Sequence, residues 1–228
     1  MSGLAALSEC DRVILRVFYG KSAMTSLFYC HFSGGNKMSN LSKNRAVSEQ
    51  IKYAVITAMF AALITVTTAY IKIPAPLGYA HAGDSMIYLA ASVLPGPLGF
   101  AAAAIGGGLA DLLAGYPQWA IPTAIIKTLN VLPFFLIKFA LKNSPKLDKI
   151  ISLPNLLMLI PTTIVTIGGY FVANALLYDT AAAIAEILPN LVQASVGAGI
   201  FIVLGTSLDA VHFKSRIITK RKEKSYEV

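Results

Sequence analysis

The chain has 228 residues, 56% of them hydrophobic and 13% charged, with a net charge of +8. Soluble domains carry about 25% charged residues, so the mean hydropathy of +0.66 places this sequence among integral membrane proteins. The positive charge does not point to nucleic acid, because lysines and arginines sit at the ends of apolar runs and form no basic patch with interleaved aromatics. Cys10 and Cys30 lie outside every apolar run and support neither a disulfide framework nor a cysteine-based metal site.

Residues 1–37 hold short apolar patches broken by Arg16 and Lys21. None reaches the roughly 20 residues a membrane span needs, and no small-residue cleavage site follows an unbroken apolar core as in a signal peptide. This segment is expected to be a poorly structured extension, with Met38 a plausible alternative start. A membrane domain over 38–213 and a basic tail over 214–228 follow. Apolar segments run at about 51–71, 84–95, 97–115, 119–141, 155–178 and 188–211.

The second and third segments, separated by "PGPLG", read either as one span or as two short ones. Charge decides between them. Lys43, Arg45 and Lys52 precede the first segment; Lys138, Lys142, Lys146 and Lys149 cluster at and beyond the end of the fourth; Lys214, Arg216, Lys220, Arg221, Lys222 and Lys224 form the tail. The positive-inside rule puts all three clusters in the cytoplasm, which requires an even number of crossings between them. The expected fold is therefore an all-α integral membrane protein with six transmembrane helices and both termini cytoplasmic. Asp84, Asp111, Asp179 and Glu186 then fall at or near outer ends, and the second span is expected to begin before Asp84, near Gly78.

Polar residues can now be ranked by depth. Lys127 and Asn130, three apart in "TAIIKTLN", lie in the outer half of the fourth span. A lysine at mid-membrane costs roughly 2.5–3.5 kcal/mol. Tyr170, Asn174 and Tyr178 form a stripe at the outer end of the fifth span, and Asn190, Gln193 and Gly197 share a face of the sixth. In lipid such groups turn inward and find partners, so their convergence predicts a pocket for a small polar molecule arriving from outside. Snorkelling of Lys127, interhelical hydrogen bonding by the amides and interfacial placement of the tyrosines are the plainer readings. The outer loop "IPAPLGYAHAGD" carries Tyr79, His81 and Asp84 on a proline- and glycine-rich turn and is placed to cap such a pocket. His81 with Asp84 makes a weak metal site, and no metal is expected. Trp119, in the outer turn "AGYPQWAIP", is either an interface anchor or a stacking surface for a flat ligand.

Small residues form two stripes: Ala54, Ala58 and Ala62 in the first span, and Gly99, Ala103 and Gly107 in the third. Each lets helix backbones approach closely, either within the chain or against a partner. No GxxxxGK[ST] loop, GxSxG elbow or HExxH pair occurs, and no nucleophile stands with a base, which argues against an enzyme.

Residues 81–127, "HAGDSMIYLAASVLPGPLGFAAAAIGGGLADLLAGYPQWAIPTAIIK", resemble the riboflavin-type branch of the S components of energy-coupling factor (ECF) transporters. The resemblance rests on His81, Gly83 and Asp84; on Gly96 and Pro97; on Ala110 to Leu113 with Gly115 to Pro117; and on Thr123 and Lys127. Size and spans extend it over about 45–212. It implies a membrane-embedded binder of a vitamin or related micronutrient in a bacterial cell membrane. Such a binder docks on a transmembrane T protein carrying two cytosolic ATPases and topples to carry its ligand inward. It further implies docking through the stripe Ala54, Ala58, Ala62, a ligand site near the outer face, and no cofactor in this chain, since ATP is used by the partner subunits. Flavins, pyrimidine precursors of thiamin and pyridoxine-like compounds are the ligands of this branch. The alternatives are a stand-alone secondary carrier, for which no inverted repeat is visible, and a small intramembrane enzyme or assembly factor.

Overall fold

The computed structural model describes residues 40–75, 78–141 and 147–217; the expectations for residues 1–37 and for the tail beyond 217 lie outside them. The described residues from 50 to 217 form one compact unit. In chain order the elements are α1 (Asn40–Ala69), β1 (Lys72–Ala75), β2 (Gly78–His81), α2 (Gly83–Val93), α3 (Leu98–Leu113), α4 (Pro117–Ala140), α5 (Leu153–Leu157), α6 (Leu159–Leu177), α7 (Thr180–Ala185), α8 (Ile187–Ala210) and α9 (Phe213–Ile217).

Among the described residues, four stretches are helical, long and apolar enough to cross a membrane: Val47–Ala69, Pro117–Ala140, Leu153–Leu177 and Thr180–Ala210. Their apolar side chains point outward as well as inward. On α1, Ile51, Val55, Met59, Leu63 and Val66 are all exposed, a contiguous apolar face that only lipid or another protein can cover. Hydroxyls on these helices bond back one turn, as Thr57 Oγ1 does to the Tyr53 carbonyl at 2.7 Å and Thr67 Oγ1 to that of Leu63 at 2.7 Å. Such bonds remove a donor that lipid cannot satisfy.

The second apolar segment behaves differently from its expectation. It does not begin near Gly78, because Gly78–His81 pairs antiparallel with Lys72–Ala75, with Lys72 opposite His81 and Ala75 opposite Gly78. The loop expected outside is thus a two-stranded hairpin, and α2 starts only at Gly83. Eleven residues give about 16 Å of helix, too short to cross a hydrocarbon core of about 30 Å alone. Every α2 residue except Met86 is buried, and α2 packs against α3, α4 and α8. Buried on every side and apolar apart from Asp84, Ser85 and Ser92, α2 is the core helix of this bundle. Tyr88 stacks on Phe134 of α4 with ring centres 6.0 Å apart, and meets Phe201 of α8 edge-on at 6.0 Å.

A helix that ends inside a protein leaves carbonyls without partners. Lys138 of α4 supplies donors to those of α2: its ammonium donates to the Ala91 carbonyl and, at 3.1 Å, to that of Leu94. Asp84 stands in the first turn of the same helix. A carboxylate at the start and an ammonium at the end both oppose the helix dipole favourably. At the far end of α8, Asp209 accepts from the backbone N–H groups of Ile150 and Ile151, each at 2.8 Å. Lys214 donates to the Leu147 carbonyl at 2.6 Å, and burial pulls its ammonium down to about 8, against the opposing pull of Asp209 and Asp148.

Candidate functional site

A cavity of about 300 Å³ opens between the hairpin end and the starts of α4 and α8 and the end of α6. Of the residues expected in a pocket, it is lined by His81, Trp119, Tyr170, Asn174, Asn190 and Gln193. They come from four segments up to 112 positions apart, brought to one level because α4 and α8 start where α6 ends. Trp119 forms an aromatic wall with Tyr170, centres 5.9 Å apart, and is backed by Tyr178 at 6.1 Å. The amide nitrogens of Asn174 and Asn190 bond back to the carbonyls of Tyr170 at 2.9 Å and Glu186 at 2.7 Å. Asp111, Tyr116, Thr123, Glu186 and Pro189 complete the lining. The sequence marks Asp111 and Glu186 only as expected outer helix ends; that they share a cavity follows from the packing of α3 and α8.

The remaining residues have other places. Lys127 is fully buried and forms an ion pair with Asp84, also fully buried. Gln193 joins them, its Nε2 donating to Asp84 Oδ2 at 2.9 Å. The Lys127 ammonium lies 5.2 Å from the Tyr170 ring centre, within cation–π range. Gln193 and Tyr170 line the cavity while touching the pair, so the pair underlies the cavity as its polar floor. Asn130 sits apart from the lining and ties two helices, its Nδ2 donating to Thr166 Oγ1 of α6 at 2.9 Å. Tyr79 lies in β2 by its backbone.

The charge of Lys127 thus finds a counter-charge 43 positions earlier in the chain. A buried pair is tolerable when its remaining lone pairs are also satisfied, and Gln193 supplies the second donor to the carboxylate. Gly197 makes this approach possible. A Cβ there would stand 2.9 Å from the Cβ of Asp84, so α8 can pass the start of α2 only with glycine at this position. Gly197→Val is expected to cost about 1–3 kcal/mol by overpacking, read as a lower unfolding temperature in detergent; unchanged melting would show that α8 yields freely at this point.

The two small-residue stripes have opposite fates. Gly99, Ala103 and Gly107 are buried, and a Cβ at Gly107 would meet Lys127 Cγ at 3.0 Å. Ala54, Ala58 and Ala62 are exposed on α1, flanked by Val55, Met59 and Leu63.

Comparison with known proteins agrees with this architecture. A sequence model described as "ECF-type riboflavin transporter, S component" matches residues 48–210. A Pyrococcus woesei protein described as "Uncharacterized protein in gap 3'region" is 36% identical over 157 residues, covering 68% of this chain and 96% of that relative. The family match takes in the hairpin, the buried α2 and the whole cavity lining, and the chain belongs to the family of ECF-type riboflavin transporter S components, multi-pass proteins of the membrane.

Proposed function

We propose that this chain captures a vitamin or related micronutrient at the outer face of the cell membrane and delivers it inward by docking on a T protein with two ATPases. In this reading the chain crosses the membrane six times with both termini in the cytoplasm, α2 and α3 serving as the two short crossings. The observation that carries it is the cavity: an aromatic wall of Trp119 and Tyr170 faces amides and carboxylates, above a floor sealed by Asp84, Lys127 and Gln193. Its volume of about 300 Å³ falls at the small end of small-molecule sites, roughly 300–1,000 Å³. Flavin, pyrimidine and pyridoxine-like rings are flat, and a flat ring with polar edges suits such walls. Asn174, Asn190, Gln193 and His81 supply the edge contacts, with Tyr79 on the hairpin above; Asp84, Lys127 and Asn130 hold the helices that present them.

The exposed alanines Ala54, Ala58 and Ala62 serve as the face that meets the T protein, since among the described residues from 50 on no helix covers them. Mass spectrometry of small molecules retained by the purified chain identifies the ligand directly. Trp119→Ala is expected to weaken its binding by about 1–3 kcal/mol, the range for losing one aromatic stacking partner, or roughly 5- to 150-fold in Kd. Wild-type affinity in Trp119→Ala would place the ligand elsewhere.

A further inference from the structure

The charge of the cavity wall restricts its ligand further than its shape does. Among the described residues, the lining carries two carboxylates, Asp111 and Glu186, and neither lysine nor arginine. The nearby ammonium of Lys127 is already held by Asp84 beneath the lining. The two carboxylates differ in setting. Glu186 is exposed at the start of α8. Asp111, at the end of α3, has the Thr123 hydroxyl against its carboxylate, and Thr123 in turn accepts from the Tyr170 hydroxyl at 3.4 Å. This leaves Asp111 Oδ2 buried with no hydrogen-bond partner. A carboxylate oxygen left in that state is costly unless a donor arrives, and Asp111 stands in a cavity lining that also holds Trp119 and Tyr170.

We infer that Asp111 is a specificity-determining residue. It accepts from an N–H or protonated ring nitrogen on the edge of the bound ring, and with Glu186 it excludes ligands that carry a phosphate. The selected class is therefore the unphosphorylated, neutral or cationic heteroaromatic ring, and the rejected class is the phosphate ester of the same ring. Thr123 and Tyr170 hold the carboxylate in place, so that Oδ2 is the oxygen left for the ligand. This inference rests on the vitamin-capturing reading above and adds the sign of the charge the cavity accepts.

Trp119 is the chain's one tryptophan and lines the cavity, so its fluorescence reports occupancy of this site. The full chain, purified in detergent, would be titrated with riboflavin, pyridoxine and 4-amino-5-hydroxymethyl-2-methylpyrimidine, each beside its own phosphate ester. One parent compound is expected to quench Trp119 and its phosphate ester to bind about 100-fold more weakly, from like-charge repulsion in a partly dry site. Asp111→Asn is expected to weaken the parent about 10-fold, the loss of a charge-assisted hydrogen bond, and to narrow the gap to its ester by a similar factor. Glu186→Gln, at an exposed position, is expected to narrow the gap less. Equal affinity for a parent and its ester, or a gap that neither substitution changes, would overturn the inference and leave the cavity as the ligand site. Failure of every compound to quench Trp119 would overturn both.

Discussion

Replacing Lys127 with alanine is expected to destabilise the folded chain by about 3–5 kcal/mol, the penalty for leaving one member of a buried pair without its partner. Asp84 is fully buried and keeps the Gln193 amide at 2.9 Å, with no ammonium against it. Thermal unfolding in detergent reads the loss. The double substitution Asp84→Asn with Lys127→Met is expected to recover much of it, since no charge is then stranded. Ligand affinity falls with Lys127→Ala as well, because Gln193 and Tyr170 touch the pair and line the cavity at once. Lys138→Ala is the control: it uncaps the C-terminal end of α2, remote from the cavity, and is expected to weaken binding much less. A Lys127→Ala chain that melts and binds as wild type would mean that the pair neither braces the bundle nor shapes the cavity floor.

The second large effect is on transport alone. Ala58→Trp is expected to abolish uptake in cells that carry the T protein and ATPases, while the isolated chain binds its ligand with unchanged affinity. Ala58 is exposed midway along α1, between Ala54 and Ala62, where a partner helix approaching to about 8–10 Å needs small side chains. An indole there blocks the approach without touching the cavity. Uptake that survives the substitution would move the docking face away from this stripe.

How far the sequence reveals this arrangement differs from residue to residue. Composition was enough to place the chain in a membrane, and depth alone put Lys127, Asn130, Tyr170, Asn174, Asn190 and Gln193 near one level, because helix rise per residue is fixed; Trp119 entered from its turn. The partner of Lys127 was not legible from depth. Asp84 is 43 positions away, and helix periodicity carries no information about which face of α2 meets α4. The hairpin escaped for a related reason: "IPAPLGYAHAGD" has the prolines and glycines of a turn, while the pairing of Lys72 with His81 is set by strands only four residues long. The two small-residue stripes share one spacing, and only packing separates them, with Gly107 pressed on Lys127 and Ala58 facing outward. Asn130, expected in the pocket, has its amide bonded to Thr166 instead, as any buried amide takes the nearest acceptor in a medium without water.

The brevity of α3 has a consequence for the surrounding lipid. Sixteen residues rise about 24 Å, while the apolar stretch of α1, Val47–Ala69, has 23 and rises about 35 Å. The two helices are neighbours, since a Cβ on Gly106 would meet Ile64 at 2.7 Å, and α3 turns Ile105, Leu109, Leu112 and Leu113 outward. With α3 as one of the six proposed crossings, lipid on that flank would meet a hydrophobic height about 6 Å below the usual 30 Å and compress to match it, at a fraction of a kcal/mol per Å. The proposed topology thus pinches the bilayer beside α3 and favours thin membranes.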